Sequence, residues 1–236
     1  MAAKRKFVVA TVACVAVVAG LSGCSSEDDA FDGMSADDIA KKSFKTSKAA
    51  DSFKVTGEGK QQGSTVRLSF AINKEGACEG NMSAGKQGKA ELLVIDKATY
   101  LKGDDAYWKS TMSASGAAVN KKLDGRWVKS PSGGSGSGGS VCDRDDLFKA
   151  ADAKDMERGD DADVDGQKAA TLVKKESGGK TSTFYVATEG KPYLLQVETK
   201  GKEQGTTTFS DYNKPVKVKA PAADQVADVK EIVPGS

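Results

Sequence analysis

Residues 66–73 read Val66-Arg67-Leu68-Ser69-Phe70-Ala71-Ile72-Asn73, with an apolar side chain at every second position and polar or small ones between. Successive side chains of a strand point to opposite faces, so this is a strand with one buried and one wet face, the pattern of an antiparallel sheet. The same period, broken by turn residues, places further strands at about 53–60, 80–86, 89–96, 98–103 and 105–110, and again at 168–176, 181–188, 192–199 and 205–212. Asp96-Lys97, Gly103-Asp104, Gly178-Gly179, Glu189-Gly190 and Lys200-Gly201 supply the turns of consecutive hairpins. Helical spacing occurs only in short pieces. Ser35, with Asp38 three residues on, opens a helix with Ile39, Ala40, Ser43, Phe44 and Ser47 on one face, ending near Ala50. A weaker helix is expected over Thr111–Lys122 and a short one over Asp145–Ala153. These elements predict a mainly β, α+β fold: one long, twisted antiparallel sheet that curls around whatever covers its inner face.

Upstream of the sheet, Lys4, Arg5 and Lys6 precede the 14-residue apolar run Phe7–Gly20, and Leu21-Ser22-Gly23-Cys24 follows it. Basic, apolar and small-residue regions in that order make a secretory signal. As a helix the run rises about 21 Å, short of the roughly 30 Å hydrocarbon core, so residues 1–23 are read as a cleaved leader and not as a permanent span. Leu21–Cys24 resembles the lipobox of bacterial lipoproteins, in which the cysteine accepts diacylglycerol and becomes the first residue of the mature chain. The resemblance implies lipidation at Cys24, a covalent acyl anchor with no other cofactor, and a place at the extracytoplasmic face of a cell membrane. At about 0.8 kcal/mol per buried methylene, two or three acyl chains hold a protein there without a second signal. Residues 24–34, which include Glu27, Asp28, Asp29 and Asp32, read as an acidic tether, and residues 35–230 as a single domain.

The full chain has 35 basic and 33 acidic side chains. Removing the leader takes three basic residues and no acidic one, leaving 32 against 33 and a formal charge of −1. With the charges interspersed there is no basic footprint for phosphates, which argues against nucleic acid as a partner. The absence of histidine excludes His-based acid–base catalysis and triads and removes the most frequent zinc ligand. Cys14 leaves with the leader and Cys24 takes the lipid, so Cys78 and Cys142 remain. In an oxidising compartment they are expected to pair, closing a loop worth about 4 kcal/mol. Two independent buried thiols are the alternative, since sequence does not show that the Cα atoms lie within reach. The stretch 131–140, PSGGSGSGGS, has the composition of a linker. A disulfide across it would tie the two halves together, so it is read as a flexible surface loop within one domain.

Other motifs carry less. Asp161-Ala162-Asp163-Val164-Asp165-Gly166 matches the opening of an EF-hand loop, but the twelfth position is Leu172 where a bidentate Glu is needed, so Asp165-Gly166 is read as a hairpin turn. Ser-x-x-Lys at Ser83–Lys86 and Ser177–Lys180 falls in glycine-rich turns, and with 22 serines and 30 lysines in the chain such matches arise by chance. Tyr100, Tyr107, Trp108, Tyr185, Tyr193 and Tyr212 fall singly on expected strands, as core or sheet-face residues.

Several segments together resemble the actinobacterial lipoproteins of the LolA-like and LppX/LprG-like group. They are the lipobox at Cys24, Cys78-Glu79-Gly80, Glu91-Leu92-Leu93 through Thr99-Tyr100-Leu101-Lys102 with Tyr107-Trp108, Gly125-Arg126-Trp127-Val128, the turn Val164–Ala169, the stretch Tyr185–Tyr193, and Phe209-Ser210-Asp211-Tyr212. The resemblance spans most of residues 35–225. It implies a strongly curved antiparallel half-barrel with helices against its concave face, an apolar cavity for acyl chains in several members, and no catalytic residues. The function expected is that of a membrane-anchored carrier of lipid or glycolipid, a monomer and not an enzyme, with Val66, Leu68, Phe70, Ile72, Leu92 and Val94 lining the cavity. The alternative is a protein-binding or envelope-sensing lipoprotein with a closed core and no lipid ligand. Replacing Cys24→Ala is expected to move the protein from the detergent phase to the aqueous phase in a phase-partitioning assay. Unchanged processing and partitioning would refute the anchor.

Overall fold

The structure is a computed structural model and describes residues 30–61, 63–96, 98–131, 140–149, 153–202 and 204–228. The leader, Cys24 and residues 132–139 of the Ser/Gly stretch lie outside the described residues, as does Lys97 of the expected Asp96-Lys97 turn. Of the expected tether, residues 24–29 lie outside them too. Ala30–Met34 belongs to the folded body: Phe31 is buried in the main core and Met34 packs against it.

In chain order the elements are α1 (Ala36–Lys48), β1 (Ser52–Gln61), β2 (Ser64–Asn73), β3 (Cys78–Ala84), β4 (Lys89–Ile95), β5 (Ala98–Gly103), α2 (Asp105–Met112), α3 (Gly116–Leu123), β6 (Trp127–Pro131), α4 (Arg144–Lys149), β7 (Met156–Arg158), β8 (Ala162–Val164), β9 (Gln167–Lys175), β10 (Thr181–Ala187), β11 (Leu194–Lys200), β12 (Gln204–Ser210) and β13 (Val226–Asp228). Among the described residues all thirteen strands join one sheet in the order β13-β6-β5-β4-β3-β2-β1-β12-β11-β10-β9-β7, with β8 pairing β9 off that path. The sheet curves into a half-barrel and does not close. Neighbours are antiparallel except β13, which lies parallel to β6. The ladder β1–β12 joins the two halves of the chain edge to edge in one continuous sheet.

Residues 105–110, expected as a strand, are helix. Asp104 does not end a hairpin: its carboxylate accepts the backbone N–H of Tyr107 (2.8 Å) and of Lys89 (3.0 Å), which caps α2 and fixes its entry angle. Tyr107 and Trp108 therefore sit on a helix, where the Trp108 indole donates to the Gly103 carbonyl (3.0 Å) and packs with Val119, Leu123, Val128 and Ala227. Tyr193 and Tyr212 lie just outside strands and stack with centroids 4.0 Å apart. Asp165-Gly166 forms the β8–β9 hairpin turn, both residues at positive φ, with the Asp163 carboxylate accepting the Gly166 N–H (2.7 Å).

The main core lies between the sheet's inner face and helices α1 and α4. Ser35 caps α1: its hydroxyl accepts the Asp38 N–H (3.2 Å) and donates to the Asp38 carboxylate (2.7 Å). That hydrogen bond and Lys41 hold the Asp38 carboxyl below its ordinary pKa. The face of α1 toward the sheet carries small residues at Ala40, Ser43 and Ser47, all fully buried, so the helix approaches closely. Ser47 also accepts the buried backbone N–H of Leu194 (2.9 Å), at the end of β11. Phe44 meets Phe184 edge to face (5.8 Å between centroids).

Helix α4 has only six residues and is held from several sides. Cys78 at the start of β3 and Cys142 just before α4 form a disulfide, their Cα atoms 5.8 Å apart. Arg144 donates to the Lys48 and Ala50 carbonyls at the C-terminal end of α1, where a cation also complements the helix dipole. Its guanidinium lies over the Phe53 ring (5.3 Å), and burial lowers its pKa against the opposing pull of Glu75, Asp145 and Asp51. Phe148 fills the space between Phe53 and Phe209. Ser47→Ala strands the Leu194 N–H in the core and is expected to cost about 1–3 kcal/mol in a denaturant titration. Non-reducing peptide mapping should recover Cys78 and Cys142 in one cross-linked fragment, and Cys142→Ser should lower stability by up to about 4 kcal/mol.

Candidate functional site

The inner face of the sheet is a set of cross-strand rows, and their composition changes from one end of the strands to the other. At one end Phe53 pairs with Ile72, Ile72 with Cys78 and Cys78 with Val94. The next row runs Phe209, Val55, Phe70, Gly80, Leu92, Leu101. Both rows are closed: Phe53, Val55, Phe70, Ile72 and Leu92 are almost completely buried against α1, α4 and the disulfide. Phe70 fits because it lies across Gly80, where an added Cβ would stand 2.3 Å from the ring.

Beyond these rows the central strand changes character. The inner positions of β1 after Phe53 and Val55 are Gly57 and Gly59. Their rows are Phe184, Val197, Thr207, Gly57, Leu68, Met82 and Ser182, Thr199, Gly205, Gly59, Val66, Ala84. Glycine leaves the middle of each row low, and Leu68 leans into the gap, its Cγ 3.1 Å from where a Cβ on Gly57 would be. Two hollows result. One, of about 390 Å³, lies under the edge of α4, with Leu147, Phe184, Leu194, Val197 and Phe209 as its apolar wall. The other, of about 250 Å³, lies over Gly57, Gly59, Val66 and Leu68. Both are lined by Thr199 and Thr207, so together they form one trough along the concave face. The first lies in the size range of small-molecule sites. Polar groups gather at its edge: Asp146, Ser182, and Lys180 paired with Glu176 at 2.8 Å.

The six lining candidates separate. Val66 and Leu68 lie on the trough floor, half-buried. Phe70, Ile72 and Leu92 belong to the closed core, and Val94 packs against that core away from the trough. The alternation puts all four apolar residues of β2 on one face, but α1 and α4 cover only part of that face. The wall formed by Leu147, Phe184, Leu194, Val197 and Phe209 was missed, although Phe184 and Val197 carry the same alternating signal. Val55-Thr56-Gly57-Glu58-Gly59 is the stretch that could have located the trough.

Among the described residues no group of three or more His, Cys, Asp or Glu side chains is placed to hold a metal, and no helix is long and apolar enough to cross a membrane. No protein-family model matches the chain, and no curated protein matches it. Solved structures do. LprF from Mycobacterium bovis aligns with a TM-score of 0.58 at 15% identity, over 80% of this chain and 97% of that one. The Mycobacterium tuberculosis lipoprotein LppX aligns at 0.49 and 14% identity, over 78% and 97%. At such identities the likeness is one of fold. The half-barrel that the sequence resemblance implied is the fold this chain adopts, and it is shared with LprF.

Proposed function

We propose that the chain is an exported lipoprotein, held at the extracytoplasmic face of a cell membrane by acyl chains on Cys24, that binds the acyl part of a lipid or glycolipid in the concave trough. The observation that carries this reading is the trough of two adjoining hollows, with a glycine floor and an apolar wall, beside a closed core. The fold shared with LprF supports it. The mechanism is hydrophobic transfer, with no bond made or broken and no resident cofactor. At about 25 cal/mol per Å², enclosing a few hundred square ångströms of acyl surface is worth roughly 5–10 kcal/mol, enough to draw a chain from a bilayer and still release it. The polar groups at the edge suit a headgroup left in water, and the protein works as a monomer. A second reading, a protein-binding or envelope-sensing lipoprotein without lipid, draws on the inner rows that side chains already fill.

The two readings part on trough-filling variants. Leu68→Trp should occupy the trough and sharply lower the lipid recovered per protein by mass spectrometry of an organic extract, with little change in thermal midpoint. Phe70→Trp has no such room and should instead lose roughly 1–3 kcal/mol by overpacking. Arg67→Ala, on the opposite face, should leave lipid content unchanged. A parent protein that never yields lipid would overturn the carrier reading and leave the second.

A further inference from the structure

The convex face carries a second groove. Outward side chains of the four central strands β12, β1, β2 and β3 stand opposite one another in a row: Thr208 faces Thr56, Thr56 faces Ser69, and Ser69 faces Asn81. A groove of about 390 Å³ follows this row across the strands, flanked by Glu58 and Arg67 of the next row. The three hydroxyls and the Asn81 amide make no hydrogen bond to any described residue, so their full capacity faces the groove. Arg67 and Glu58 instead satisfy each other, Nε to Oε2 and Nη2 to Oε1, both at 3.0 Å. The groove lining therefore offers many donors and acceptors and no unpaired charge, and the row on its other side, Ser210, Lys54, Ala71 and Glu79, carries one cation and one anion, so the surround is neutral overall.

That combination selects a ligand. An anionic polymer would need an uncompensated cation in the groove, and an apolar ligand would bury the hydroxyls unpaired. A neutral polyol meets both conditions. Strands lie about 4.8 Å apart, so the row presents one polar side chain per strand at an interval close to the length of one pyranose residue in an extended chain. We infer that the convex groove binds a neutral, extended polysaccharide strand lying across β12, β1, β2 and β3. The site is on the opposite face of the sheet from the trough, does not rest on the lipid reading, and leaves both ligands free to bind together.

The test is isothermal titration of the mature lipoprotein in detergent micelles with two neutral hexasaccharides, chitohexaose and cellohexaose, beside the anionic hexamer of galacturonic acid. Saturable binding of at least one neutral hexasaccharide is expected. Ser69→Arg, which fills the groove from a half-buried position on its floor, should weaken it at least tenfold with little change in the thermal midpoint. Thr183→Arg, on the same face but two strands beyond β12, should leave it unchanged. Failure of both neutral hexasaccharides to bind at millimolar concentration, tighter binding of the anionic hexamer, or binding indifferent to Ser69→Arg would each overturn the inference.

Discussion

The inward sequence of β1 is the constraint on which the rest of the molecule depends. This strand pairs with β2 on one side and β12 on the other, and so joins the two halves of the chain. Phe53 and Val55 commit one end of the concave face to a packed core. Gly57 and Gly59 commit the other end to a hollow, because no side chain rises from the middle of those rows. Closed core and open trough are thus written on one strand, one turn of the pleat apart.

Keeping the core closed while the trough stays open requires helices held in fixed places. Helix α1 achieves this by close approach through Ala40, Ser43 and Ser47 and by the buried hydrogen bond from Leu194 to Ser47. Tyr212 adds a second tie at the same point, its hydroxyl donating to the Leu194 carbonyl (2.6 Å), and burial raises its pKa well above the ordinary phenol value. Helix α4 is too short to hold itself by helix formation alone. The Cys78–Cys142 disulfide fixes its start to β3, and Arg144 fixes it to the end of α1. Phe148 then faces the core while Leu147 faces the trough, so one six-residue helix borders both.

The two faces of the sheet are chemically opposite. The concave side holds nearly all the large apolar residues of the central strands, and the convex side of the same strands is polar: threonine, serine and asparagine with the charges of Lys54, Lys60, Glu79 and the mutually paired Arg67–Glu58 between them. Beside the main core and the Trp108 cluster, a third, smaller apolar cluster of Val164, Ala169, Ala187 and Leu195 forms where the sheet's far edge carries the β8 hairpin. Both edges are short strands of three residues, β7 and β13, which limits the unpaired backbone offered to other chains.

Much of this was legible in the chain, for a local reason. The two-residue period depends only on neighbours, and it marked β2, β4, β5, β9, β10, β11 and β12 with small errors at their ends. The Ser35 capping box is local too, and marked α1. The element at 105–110 was misread because alternation over so few residues does not distinguish strand from helix; the Asp104 cap to the Tyr107 N–H is local, and the second bond, from the Lys89 N–H to the same carboxylate, comes from another strand. The trough was misplaced for the same kind of reason. Val66, Leu68, Phe70 and Ile72 are equivalent in sequence, all inward and all apolar. What separates the first two from the last two is where α1, α4 and the disulfide come to rest, and that is fixed by contacts between residues such as Ser47 and Leu194 or Cys78 and Cys142, far apart along the chain. The sequence by itself determined the long antiparallel strands, their inward faces and the twisted sheet they build; the tertiary structure alone supplied the short strands β6, β7, β8 and β13, which have too few residues to show a period, and decided which part of the inward face is core and which is open, because helix placement is a non-local outcome of packing.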